Sequence, residues 1–267
     1  MRKTGIFFVI VFMLLFLIKL SAFAQNYTKQ KLDSIISESR KNIYAYDDKG
    51  NNTLNAGYYW SNENNNWISE YKYEYSYDNQ GNQTTLISYY GDYSTNAWIR
   101  TSKRESTYDN NRNLTLTICY AWDNKTNNWI RSSKNEYTYC DRDCQTVEIQ
   151  SQWDNVINNW RGITKYESTY DNSGNRIMQI QYDWLGGATN NWIKRIKRDY
   201  EFDNNGYESL FIYYDWDITK NSWVGVYKHE FLHDSSGRQT MYALYAWKTN
   251  SWVGDSKREF TYDEQGK

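Results

Sequence analysis

His229-Glu230-Phe231-Leu232-His233 spells H-E-x-x-H, the spacing with which a helix brings two imidazoles to one zinc ion and leaves the Glu as general base. That chemistry depends on the helix, where residues four apart share a face. On a strand the same four residues span roughly 13 Å, at about 3.3 Å each, and one metal cannot hold both rings. The flanks decide between the two. Lys228 and Glu230 belong to a series of lysines followed two residues later by an acid: Lys72/Glu74, Lys103/Glu105, Lys134/Glu136, Lys165/Glu167, Lys197/Asp199, Lys228/Glu230 and Lys257/Glu259. The steps between these lysines are 31, 31, 31, 32, 31 and 29 residues. A fixed period of this size marks one supersecondary unit stacked on copies of itself. The histidines, the only two in the chain, therefore sit in a repeated strand, with His233 where most other units carry Tyr. No zinc, no other cofactor and no protease activity is expected.

Other catalytic groupings are thin. No Gly-rich phosphate loop occurs, and the acids belong to strand rows or turns, so a paired-carboxylate hydrolase has no distinctive candidates. Repetition itself argues against an enzyme, because catalysis needs a unique constellation. Arg beside an aromatic, as in Trp98-Ile99-Arg100, suits single-strand nucleic-acid stacking, but cross-strand packing explains the same residues. The candidate binding groups are the tryptophans: Trp60, Trp67, Trp98, Trp122, Trp129, Trp153, Trp160, Trp184, Trp192, Trp216 and Trp223.

The elements that must position these residues are strands. Each unit reads as two antiparallel strands, for example Asn113 to Trp122 and Trp129 to Tyr139, joined by Asp123 to Asn128. The first alternates, with Leu116, Ile118, Tyr120 and Trp122 on one face and Thr115, Thr117, Cys119 and Ala121 on the other. In the second, a Trp lies five residues before the Lys, and the Lys five before a Tyr, Phe or His. Odd spacing in a regular strand means opposite faces, which predicts an aromatic side and a charged side. The absence of proline and an aromatic content of 18% fit a pleated surface. The fold class is therefore all-β: tandem antiparallel β-hairpin repeats of about 31 residues forming one long twisted or curled sheet, with a four-bladed propeller as the alternative. The aromatic face must then be hidden by curling or by a partner.

Two kinds of connection alternate. Turns such as Asp78-Asn-Gln-Gly81-Asn82 and Asp171-Asn-Ser-Gly174-Asn175 suit a type I turn closed by a left-handed Gly, with Asp capping the amides. They supply too few carboxylates, and no distal bidentate Glu, for a calcium loop. Length changes fall only in the Trp-to-Trp loops, which makes that edge the permissive one and the natural place for binding.

Arg2 and Lys3, the apolar run from Ile6 to Ile18 and Ala22-Phe23-Ala24 read as a signal peptide over 1–24, cleaved before Gln25. No second hydrophobic segment follows, so the mature chain is expected to have no membrane span and to be secreted, at the cell surface or periplasmic. Removing Arg2, Lys3 and Lys19 from 31 basic residues leaves 28 against 32 acids, a net charge of −4, which disfavours a nucleic-acid partner. Residues 25–47 have some helical spacing, but the period places Lys41 in the Lys row, so they are expected to form the leading strand of the array. Residues 48–267 are the tandem hairpins, and the stop at Gly266-Lys267 inside a turn suggests truncation.

Cys140 and Cys144 replace the first and last residues of one turn, where Asp143 stands at the Gly position. The two positions face each other across the turn, so in an oxidising compartment a disulfide is expected, leaving Cys119 as a free thiol. A C-x3-C metal site is the alternative.

The Tyr-Asp-x-x-Gly-Asn turns resemble the YD repeats of RHS and teneurin-type shells, which are shorter. The W-x6-W loop and the K-x-E strand resemble Asn-rich repeat proteins secreted by Bacteroidota, many of which carry a C-terminal type IX sorting domain; none is visible here. The resemblance covers residues 32–267 and implies no catalytic residues. The function expected is that of a non-catalytic secreted or surface module binding an extended polysaccharide or a surface protein; the alternatives are a passive spacer or shell wall and, last, a hydrolase.

Overall fold

A computed structural model describes residues 33–186, 191–263 and 266. The expected signal peptide lies outside the described residues. The first eight strands are β1 (Ser34–Ile36), β2 (Arg40–Tyr46), β3 (Asn52–Ser61), β4 (Asn66–Tyr77), β5 (Gln83–Gly91), β6 (Trp98–Tyr108), β7 (Leu114–Asp123) and β8 (Asn128–Tyr139). The next eight are β9 (Gln145–Asp154), β10 (Asn159–Tyr170), β11 (Arg176–Trp184), β12 (Trp192–Phe202), β13 (Glu208–Asp217), β14 (Ser222–His233), β15 (Gln239–Lys248) and β16 (Ser251–Glu259). All sixteen form one antiparallel sheet whose order is the order of the sequence. A propeller would need separate blades, so that alternative is not the fold. Nor does the sheet curl round to join its edges, because the order is linear and ends at β1 and β16. At the front, Lys41 lies in β2, with the short β1 paired ahead of it, and residues 25–32 of the expected leading strand lie outside the described residues.

Two compact units are distinguished, one holding the chain up to Glu74 with Tyr89–Ile99, the other holding Tyr75–Ser88 and everything from Arg100. Within the first, Gly91 occupies the place where most hairpins have a Trp, and an added Cβ there would lie 1.9 Å from the Ser69 carbonyl oxygen. The loop beside it folds onto β4, where Asn96 accepts from the Ser69 amide at 2.8 Å and donates to the Trp67 carbonyl at 3.1 Å. The second unit is built from regular hairpins.

Neither unit has a conventional core. Among the described residues no large side chain is fully buried, and the buried apolar ones are Ala56, Ile68, Tyr89 and Ala243. The expectation that the aromatic face is hidden by curling is not met. Its rings are half-covered by one another and by lysines lying over them.

The two connections have distinct backbone devices. In the turn after β4, the Asp78 carboxylate accepts from the amides of Gln80 and Asn82, both at 2.9 Å, and Gly81 takes φ 84°. The Trp loops instead put Asn65, Asn127, Asn158 and Asn221 in the left-handed region, each two residues before a Trp. Asn tolerates that conformation better than other side chains, which accounts for its recurrence there.

Candidate functional site: the tryptophan-loop edge

A bulge in each of six second strands reverses the expected separation of aromatic and charged faces. In β8, Cys119 pairs with Ser133 and Tyr120 with Arg131, so Ser132 is extra. The same slip occurs at Glu70, Ile163, Arg195, Val226 and Asp255, three residues after each Trp. An extra residue shifts the alternation by one, so a Trp and a Lys five apart fall on the same face. The predicted aromatic side and charged side are one surface.

On that surface several of the row lysines sit in a box of acid and rings. Lys103 Nζ bonds Glu105 at 2.7 Å and lies 4.2 Å from the centre of the Tyr120 ring and 5.7 Å from that of Trp129. Tyr120 donates its hydroxyl to the other oxygen of Glu105 at 2.7 Å. Lys165, Glu167 and Tyr182 repeat the arrangement, as do Lys228, Glu230 and Tyr245. Burial pushes the Glu105 carboxyl up, but the bonds from Lys103 and Tyr120 outweigh it and hold it below the usual carboxylate range. The Tyr120 hydroxyl is pushed up to about 12 by burial and by Glu105. Each such carboxylate is committed to two donors, one on its own strand and one on the neighbouring strand, which ties the two strands together.

The tryptophans lie beyond the boxes, at the loop edge. Trp60/Trp67, Trp122/Trp129, Trp153/Trp160, Trp184/Trp192 and Trp216/Trp223 are direct cross-strand partners with ring centroids 4.9–5.4 Å apart and planes at 70–78°. Trp247/Trp252, absent from the predicted set, makes the same pair at 4.8 Å. Trp98 lacks a Trp partner because of Gly91, and packs edge-on against Tyr58 at 5.5 Å. All are half-buried.

What contacts a pair from the preceding hairpin varies. Arg100 lies 4.9 Å over Trp122, Arg131 4.8 Å over Trp153 and Lys194 4.6 Å over Trp216. In two other hairpins that position is glycine. A Cβ on Gly162 would lie 2.7 Å from both Trp184 and Trp192, and one on Gly225 2.7 Å from Trp252. Glycine within a strand is a signal of close approach, and its spacing two residues after Trp160 and Trp223 was available from the sequence but not used.

The remaining expected sites fall elsewhere. The H-E-x-x-H residues lie in β14, paired to β13 and β15, and His229 Nδ1 is 3.0 Å from the Tyr242 hydroxyl. The zinc signature thus lacks the helix it requires. No group of three metal-ligating side chains occurs among the described residues. Cys119, Cys140 and Cys144 carry free thiols in this structure. Cys140 Sγ accepts from the amides of Arg142 at 3.3 Å and Cys144 at 3.2 Å, the role that Asp plays in other turns. A hydrogen bond with Cys144 lowers the Cys140 thiol pKa, and the same contact raises that of Cys144.

No protein-family model matches the chain. No curated protein matches it either. Among solved structures, a protein of unknown function from Bacteroides fragilis is 20% identical, with a TM-score of 0.39, covering 47% of this chain and 88% of that one. A DUF3836 family protein from Parabacteroides distasonis is 16% identical, with a TM-score of 0.29, covering 34% of this chain and 81% of that one. The TcdB2-TccC3-Cdc42 structure is 10% identical, with a TM-score of 0.43, covering 88% of this chain and 12% of that one. The chain's own repeating all-β architecture is compatible with a non-catalytic binding or structural protein.

Proposed function

We infer that the protein is a non-catalytic, exported repeat module that binds an extended polysaccharide along its tryptophan-loop edge. The observation that carries this reading is the recurrence of half-exposed Trp pairs at one edge. Consecutive hairpins advance by two strands, about 10 Å, so a linear polymer meets equivalent rings repeatedly and weak contacts add through multivalency. A distant relation to YD-repeat shells fits the turns and belongs to the same proposal.

A second reading, a passive spacer, is favoured by the edge-to-face packing within each pair, which is sufficient to close a hairpin. Replacing Trp122 and Trp129 with Ala separates the two. A binding edge loses retention on a polysaccharide array while the rest of the sheet stays folded. Loss of folding, with no glycan held by the unaltered protein, establishes the spacer.

Export into an oxidising compartment has its own readout. Oxidation joins the two turn sulfurs with loss of two protons and two electrons to the compartment's disulfide-forming oxidant, leaving Cys119 as the one titratable thiol. Three reactive thiols on unreduced secreted protein overturn the bridge. Mass spectrometry of the same sample should find the chain starting at Gln25, and retention of residues 1–24 in a membrane fraction counts against export.

A further inference from the structure

We propose that the polymer taken up at this edge is anionic, a polyuronate or similarly charged glycan, with Lys194 and its counterparts Arg100 and Arg131 recognising its charge. This rests on the polysaccharide reading above and narrows it. In three hairpins a face of the first Trp is already occupied by a cation, at 4.6–4.9 Å. A neutral sugar stacking on that face would have to displace the cation and forfeit its attraction to the ring, offering it only neutral hydroxyl acceptors in return. A sugar carrying a carboxylate gives the displaced cation a partner, so stacking and ion pairing no longer compete.

The surroundings of Trp216 agree. A groove of about 330 Å³ is lined by Trp184 and Trp216, Lys194 and Arg195, and the apolar Leu185 and Ile218. The volume is at the small end of ligand sites. Leu185 and Ile218 are 64% and 66% exposed, an unusual waste of apolar surface beside two cations. Asp183 is the acid among the lining residues, and its contact with Arg195 is long, at 3.7 Å. Lys194 and Arg195 thus outnumber Asp183 in the groove lining, with Glu167 close enough to Lys194 to feel its charge, in a chain whose net charge is −1. Arg100 and Arg131 lie in successive second strands, so their charges recur about 10 Å apart along the edge, a spacing suited to a regularly charged polymer.

The test uses the mature full-length protein in affinity electrophoresis through gels containing polygalacturonate or the same polymer fully methyl-esterified, which removes the charge and keeps the backbone. The expected result is retardation by the acid form alone, weakening as salt is added. Lys194→Gln should weaken it roughly two- to fivefold, as for one solvent-exposed ion pair, and Lys194→Arg should restore it. Arg131→Gln, in a different hairpin, serves if the first variant misfolds by far-UV circular dichroism. Equal or stronger retardation by the ester overturns the anionic assignment and leaves the polysaccharide reading standing. Retardation by neither polymer, repeated across a panel of acidic and neutral glycans, overturns both.

Discussion

The two ends of each hairpin solve the same problem with different materials. At the turn end, polar groups are consumed locally: Asp171 accepts from the amides of Ser173 and Asn175, both at 2.8 Å, and from the Asn175 side chain at 3.0 Å. Those bonds hold the Asp171 carboxyl below the usual range against the upward push of burial. At the loop end, connection to the preceding hairpin is made by rings lying against a cation or a glycine. The lesson is one of availability. The turn Asp is committed to the amides of its own turn, whereas the loop end adds half-exposed rings and cations to its Asp caps. The proposed binding edge is accordingly the loop end, with the turns proposed as scaffold.

The largest effect that tests this contrast is removal of a whole ring pair. Replacing Trp184 and Trp192 with Ala should cost about 3 kcal/mol in urea unfolding, the lower end of the range for buried aromatics because these rings are half-exposed. An effect under about 0.5 kcal/mol would mean that the pair does not hold its hairpin closed.

Next comes the glycine seat. Gly162→Ala places a Cβ 2.7 Å from both rings of that pair and should destabilise by about 2 kcal/mol, as overpacking does. In the background lacking Trp184 and Trp192 the same change should be nearly neutral, since nothing remains to clash with. Additive effects in the double-mutant cycle would show that the glycine serves its own strand instead.

The turn end allows a gain. Tyr108, Tyr139 and Tyr170 each donate a hydroxyl to a backbone carbonyl 25 residues earlier, at 2.9–3.0 Å. His233 stands at the equivalent position and cannot reach, and its Nδ1 is buried without a partner. His233→Tyr should recover a bond to the Glu208 carbonyl and raise stability by about 1 kcal/mol. Unchanged or lower stability would mean that contact with Tyr207, 5.2 Å away, matters more.

Much of this architecture was legible in the chain, for a physical reason. Strand alternation, the Asp-to-Gly turn and the period are local rules, so residues such as Leu116 to Trp122 announce their own geometry. Assignment of faces failed because it assumed unbroken alternation from Trp129 to Lys134, and the bulge at Ser132 has no residue signature: the slipped positions are Glu70, Ser132, Ile163, Arg195, Val226 and Asp255. Bulges are set by pairing to the neighbouring strand, which a single strand's sequence does not encode. The Trp pairs are legible because partners across a short loop are close in sequence. Contacts between one hairpin's cation and the next hairpin's ring were not, although the shared position two residues after Trp98, Trp129 and Trp192 carries them.

The smallest effect is the most discriminating for the loop end. Arg131 is exposed and lies over Trp153, so Arg131→Ala should cost only about 0.5–1 kcal/mol, the range for an exposed cation over a ring. Lys194→Ala should cost about the same, and Gly162→Ala more, because a flexible cation can move away from a ring whereas a backbone-attached methyl cannot. Reversal of that order would make the cations the structural clamp, with no freedom to leave the ring for a ligand. Agreement with it would show that the cation-capped hairpins hold their charge loosely, as a displaceable group must be held.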